Sequence, residues 1–149
     1  MLFRSLFLIK LYYTISFRYD LFLCTNGDYI YKYNEEFGWK SLTTSGKRQW
    51  RGIACDDIGV IIYACAWKDY IYYSEDLGDT WIPVAKSLSR RHWTAICCNG
   101  LGDIAVACAT WSDLNATGDY VWISTDFGYT WDKASTTIRI NKNGISFII

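Results

Sequence analysis

DYIYYSEDLGDTW, residues 69–81, returns fifty residues later as DYVWISTDFGYTW, residues 119–131, and a shorter copy, DYIYKYNEEFG, occupies 28–38. A second block, WRGIACDDIGVIIYACA from Trp50, returns as WTAICCNGLGDIAVACA from Trp93, an offset of 43. The seven-residue difference is an insertion, and it falls in WSDLNATG, residues 111–118, of the later repeat. Cys24, Cys65 and Cys108 then coincide, as do Cys55 with Cys98 and Gly59 with Gly102. Self-similarity at a period of roughly 40–50 residues marks a repeat architecture, in which each unit buries its apolar face only against the next.

Each unit divides into four short strands. WRGIAC (50–55) ends in the turn DDIG, VIIYACAW (60–67) is almost wholly apolar, DYIYYS (69–74) is rich in aromatic and β-branched residues, and TWIPV (80–84) closes the unit. Helical periodicity is absent. A continuous apolar run such as VIIYACA suits a strand buried on both faces, as when four-stranded sheets stack radially, and its small Ala and Cys residues fit where blades crowd an axis. The six cysteines read as small buried residues rather than as bridges or ligands, because they return at repeat positions, form no C-x-x-C pair and have a single histidine for company. No metal site and no cofactor are expected.

SEDLGDTW (74–81) and STDFGYTW (124–131) both resemble the Asp-box, S-x-D-x-G-x-T-W, of the BNR repeat. The resemblance covers roughly residues 20–131 and implies an all-β chain, a β-propeller of four-stranded antiparallel blades. In such a turn Ser74 and Asp76 bond local amides, Gly78 supplies a positive φ, Thr80 completes the loop and Trp81 fills an apolar gap beside the sheet. Ser124, Asp126, Gly128, Thr130 and Trp131 repeat those roles, which are structural. The first copy keeps Asn34, Glu36 and Gly38 in kind but has Lys40 and Ser41 where Thr and Trp belong, so its blade is expected to be less well defined. Repeats of this type occur in sialidases, xyloglucan-cleaving hydrolases, sortilin-like receptors, photosystem assembly factors and proteins of large viruses and phages. They specify a fold, and one fold hosts many activities.

With strands A to D in up-and-down order, the A–B and C–D turns lie at one end of each blade, and the B–C turns and D-to-A connections at the other. The far end from the Asp-boxes collects Trp67, the 111–118 insertion and the segments KRQW (47–50) and RRHW (90–93). In sialidase-like propellers the ligand site lies on that face. Arg48 and Arg91 are repeat-equivalent and would meet an anion such as a sugar carboxylate, or else cover the neighbouring Trp. Trp67 and Trp111 would stack on a sugar ring, or else on the next blade. Asp113 is a carboxylate on this face without an identifiable mate. Asn115-Ala-Thr fits a glycosylation sequon, which matters only in a secreted chain.

Fifteen basic and fifteen acidic side chains cancel, so no global field points to nucleic acid or to an anionic membrane. Arg4 and Lys10 break the N-terminal apolar residues into runs too short for a membrane span or a signal h-region, and the expectation is a soluble, intracellular chain. No catalytic residue is expected. Sialidase chemistry would need three arginines, a Tyr–Glu pair and an Asp. The nearest segment to the family's arginine-bearing F-R-I-P motif, Phe17-Arg18-Tyr19-Asp20, lacks the proline. A two-carboxylate hydrolase finds Asp56, Asp57, Asp76 and Asp126 in turns on the opposite face.

Residues 1–20 match the repeat poorly, as a degenerate first strand, and 21–149 form about three blades with one extra strand, at 141–149. Closed rings usually have about 4 to 8 blades, so the ring is incomplete, either completed by a second copy of the chain or belonging to a truncated propeller. The function expected is a non-catalytic recognition or structural module for a glycan or a protein. The alternative is part of a sialidase-like glycoside hydrolase.

Overall fold

The computed structural model describes residues 11–16, 20–84, 86–112, 120–134, 138–141 and 144–147, with side chains over 22–84, 86–110 and 120–134. The described chain is built of antiparallel strands. The first blade comprises β1 (Leu11–Ser16), β2 (Asp20–Asp28), β3 (Ile30–Asn34) and β4 (Gly38–Leu42), each paired with the next. The second comprises β5 (Arg48–Cys55), β6 (Ile62–Asp69), β7 (Ile71–Ser74) and β8 (Ile82–Val84). The third comprises β9 (Arg91–Cys98), β10 (Ala105–Ser112), β11 (Val121–Ser124) and β12 (Asp132–Lys133). The described residues thus form three four-stranded blades of an all-β propeller, and the ring they form is not closed.

Three details differ from the sequence reading. The second strand of the middle blade starts at Ile62, not Val60, because Val60 and Ile61 belong to the turn: the Leu77 amide donates to the Val60 carbonyl at 3.3 Å and the Asp56 amide to the Ile61 carbonyl at 3.0 Å. The first blade, expected to be the least defined, has the longest outer ladder, five residue pairs from Ile30↔Leu42 to Asn34↔Gly38, against three between β7 and β8 and two between β11 and β12. There Asn34 Oδ1 accepts the Glu36 amide at 2.9 Å, and Gly38 takes φ 73°, so a compact hairpin turn replaces the longer Asp-box loop. Finally, Gly144–Phe147 adds to no blade: as β14 it pairs with β13 (Ile138–Asn141) in a separate two-stranded sheet. Asn-Lys-Asn-Gly, the segment between them, has turn-forming composition.

Blades pack through two cores. Phe22, Cys24, Ile30 and Leu42 of the first blade meet Trp50, Cys55, Ile62, Ala64, Ala66 and Tyr72 of the second. Tyr63, Cys65, Ile71, Tyr73 and Val84 of the second meet Trp93, Ala105, Ala107, Ala109 and Trp131 of the third. These are the same repeat positions used twice. Trp50 and Trp93 are wholly buried, each beside the small residues of its own second strand, where a larger side chain would force the blades apart.

The S-x-D-x-G-x-T-W turns rivet one blade to the previous one. In the middle blade the Ser74 hydroxyl donates to Asp76 Oδ1 at 2.8 Å and accepts the Gly78 amide at 2.9 Å. Asp76 in turn accepts the Thr80 amide at 2.8 Å and the Thr80 hydroxyl at 2.6 Å, and the Trp81 indole donates to the Gly78 carbonyl at 2.9 Å. Ser124, Asp126, Gly128, Thr130 and Trp131 reproduce this network, with the Thr130 hydroxyl at 2.6 Å and the Trp131 indole bond at 2.9 Å. Gly78 has φ +86°, and a Cβ there would lie 2.6 Å from Leu42 Cδ1 of the previous blade; Gly128 has φ +81°, with Tyr63 at 3.1 Å. Leu77 and Phe127 are also left-handed, at φ 60° and 58°, a strain of about 1–2 kcal/mol each that the network holds in place.

Four donors around each aspartate favour its charged form. Desolvation pushes Asp76 up, but the Thr80 hydroxyl and amide, the Ser74 hydroxyl and the Asp79 amide together hold it below the ordinary carboxylate value. Asp126 is held down first by the Thr130 hydroxyl and amide, against a smaller desolvation, with Ser124 and Tyr129 adding. A carboxyl with a depressed folded pKa stabilises the fold above its unfolded pKa, and that stabilisation is lost as pH falls through the folded value. The urea midpoint should therefore fall below about pH 4, and Asp76→Asn with Asp126→Asn should both lower the neutral-pH midpoint and flatten the acid limb. Asp28, depressed chiefly by the Tyr31 hydroxyl, leaves a residual slope. An acid limb unchanged in the double variant would contradict the assignment.

Candidate functional site

The face away from these turns is built where the second strand of one blade reaches the first strand of the next. Asn26 pairs with Gln49 and Asp28 with Arg48, and one blade on, Trp67 pairs with His92 and Asp69 with Arg91. These short inter-blade ladders bring KRQW, RRHW and Trp67 together on one face, as the up-and-down topology requires.

The two repeat-equivalent arginines take equivalent places. Arg48 Nη1 lies 2.8 Å from Asp69 Oδ2, its guanidinium sits 4.2 Å from the centre of the Tyr72 ring and 5.9 Å from that of Trp50, and its side chain is 32% exposed. Arg48 is therefore committed to its own blade. It neutralises Asp69, covers Trp50 and packs over Tyr72 of the C strand. Arg91 lies 4.6 Å over Trp122, the residue at the repeat position of Tyr72. Trp67, half-buried, stacks on the buried His92 across the blade boundary with ring centroids 4.1 Å apart and planes at 32°, and Arg51 lies 5.1 Å over it. Trp111 contributes backbone to β10; its side chain, like Asp113 and Asn115, lies outside the described residues.

Residues that spacing alone did not single out complete the face. Arg90, exposed, lies 5.6 Å over the half-buried Tyr70, and Lys47 lies 5.0 Å over Tyr29. Lys68 is exposed in the left-handed conformation at φ 58°, where the second strand turns sharply into the third. The signal in the sequence was the basic residue that precedes the repeat-equivalent arginine in each of KRQW and RRHW, which puts the exposed cation one position ahead of the structural one.

The carboxylates described on this face are occupied. Asp69 accepts Arg48, the Tyr70 amide at 2.9 Å and the Tyr72 hydroxyl at 3.3 Å. Asp28 accepts the Tyr31 hydroxyl at 2.8 Å and faces Lys47 at 3.2 Å. Burial pushes the thiols of Cys24, Cys55 and Cys98 up to about 12, which keeps them protonated and unreactive at neutral pH. Two cysteines of the third blade depart from the expected burial: Cys97 is exposed and Cys98 half-buried. Among the described residues no group of three or more His, Cys, Asp or Glu is placed to hold a metal, and no helix is long and apolar enough to cross a membrane.

No family model and no curated protein matches the sequence. Solved structures do match. The GH74 enzyme of Niastella koreensis superposes with a TM-score of 0.64 at 20% identity, over 83% of this chain and 17% of that one. YCF48 bound to D1 peptide superposes at 0.63 and 12% identity, over 84% of this chain and 39% of that one. An ancestral GH74 enzyme gives 0.60 at 13% identity, over 82% and 18%. The chain thus spans well under half the length of each, and the likeness establishes its fold: a segment of a β-propeller.

Proposed function

We propose that this chain is a non-catalytic recognition module that binds through the face away from the S-x-D-x-G turns. The observation that carries the reading is the set of cations stacked on aromatic rings across two blades, Arg90 on Tyr70 and Arg51 on Trp67, beside carboxylates already spent on internal bonds. Guanidinium groups beside aromatic rings suit a sugar that meets a cation through a carboxylate or hydroxyl and a ring through its apolar face, so a glycan is the first ligand class. A peptide is the second, and the likeness to a propeller solved with a bound peptide supports it. The likeness to GH74 enzymes supports the catalytic alternative, part of a glycoside hydrolase. That alternative needs two carboxylates flanking a bond, and the two described on this face are engaged elsewhere.

Titration of the chain with sialyllactose and with xyloglucan oligosaccharides, followed by tryptophan fluorescence, tests the proposal. Saturable binding is expected, weakened about tenfold by Arg90→Ala with the urea midpoint unchanged. Arg48→Ala should instead lower that midpoint, with a loss of stability on the order of 1 kcal/mol for a largely buried ion pair. Release of reducing sugar from either substrate would overturn the non-catalytic reading, and binding indifferent to Arg90→Ala would overturn the choice of face.

A further inference from the structure

The opposite face, which carries the S-x-D-x-G turns, is not a plain solvated end. Phe37 is 80% exposed, Ile58 and Leu101 74% each, Tyr129 69%, and Leu77 and Phe127 38% each. All six sit in A–B or C–D turns, and five of them follow the repeat. Phe37, Leu77 and Phe127 each precede the turn glycine of their blade, and Ile58 and Leu101 hold the matching place in two A–B turns. Turn tips ordinarily carry Gly, Asn, Asp or Ser, and large apolar side chains gathered on one exposed face mark an interaction surface.

The tips are held on a common frame. The Leu77 amide donates to Val60 at 3.3 Å, the Phe127 amide to Asp103 at 3.1 Å, and the Asp57 amide to the Gly100 carbonyl of the next blade at 2.8 Å. The same turns carry exposed carboxylates: Glu35, Glu36, Asp57, Glu75 and Asp79. The described residues of these turns include no Lys or Arg, and Lys40, the nearest base, lies 3.8 Å from Asp79. Among the described residues the turn tips are thus acidic and apolar, whereas the opposite face carries Lys47, Arg48, Arg90 and Arg91.

We infer that the turn face docks a basic amphipathic segment of a partner protein, one with Leu- or Phe-like side chains flanked by Lys or Arg. Apolar tips alone would fit any greasy surface. The carboxylates between them select the charge of the occupant, since an apolar contact that buries unpaired acids beside neutral or acidic groups loses what it gains. This surface is separate from the face proposed for glycan or peptide recognition, and the two stand or fall independently.

Fluorescence polarisation with a dye-labelled amphipathic Lys/Leu peptide and the full 149-residue chain tests the inference. Saturable binding is expected, weakened about tenfold or more by the combined Phe37→Ser, Ile58→Ser, Leu101→Ser and Tyr129→Ser exchange. It should weaken roughly threefold with Glu35→Gln, Asp57→Asn and Asp79→Asn, and stay unchanged with Arg90→Ala. All are exposed positions, and an unchanged urea midpoint confirms that each variant folds. Equal binding of a Lys/Ser peptide of the same charge, or binding undiminished in the four-serine variant, would overturn the inference. So would a molar mass that grows with concentration and is restored to monomer by the same variant, because the face would then belong to a second copy.

Discussion

Everything in this chain rests on how closely one blade approaches the next. Trp50 and Trp93 are wholly buried at equivalent inter-blade positions, Trp50 with its ring 5.3 Å from Tyr72 and 6.3 Å from Trp81. The strands beside them carry Ala64, Cys65 and Ala66, and Ala107, Cys108 and Ala109. Small residues on the second strand let the blades approach closely, and a wholly buried indole fills the space beside them, so the spacing of the blades is written in side-chain volume. The Tyr63 hydroxyl, bonded at 2.8 Å to the Gly102 carbonyl of the next blade, adds a polar tie within that apolar boundary.

From this constraint the two ends of the ring acquire different characters. At one end, serine and aspartate side chains absorb the backbone donors of each turn, leaving the remaining turn side chains free to point outward. At the other, short ladders join successive blades, and the arginines that follow each D-to-A connection lie over the rings they cover. The first end can present apolar tips because its polar work is done internally. The second presents cations because its acids are consumed in place.

Much of this was legible in the sequence because a repeat tests itself: a residue that returns in register, such as Gly78 and Gly128 or Ser74 and Ser124, announces a shared geometry. The blades and both turns were read that way. What spacing did not reveal was long-range or conformational. Arg48 looked like a candidate for a ligand, and only the fold shows Asp69 waiting 2.8 Å away. Leu77 and Phe127 carry no sign of their left-handed backbone beyond the glycine that follows. Phe37, Ile58 and Leu101 were visible as apolar residues in turns, yet an apolar residue in a pattern so rich in core positions does not declare itself exposed until the neighbouring blades are in place. The hairpin of Ile138–Asn141 with Gly144–Phe147 was missed because a repeat alignment favours extending the repeat over closing a local turn.

Hydrogen exchange resolved by segment tests the stacking of repeat-equivalent blades most directly, since amides in a cooperatively packed unit open only with that unit. The slowest exchange is predicted in Ile62–Ala66 and Ala105–Ala109 together, with matching rates, and the Gly78 and Gly128 amides protected alongside them by their serines. Strong protection in one of these strands and free exchange in the other would mean that the blades do not stabilise each other, and would contradict the account.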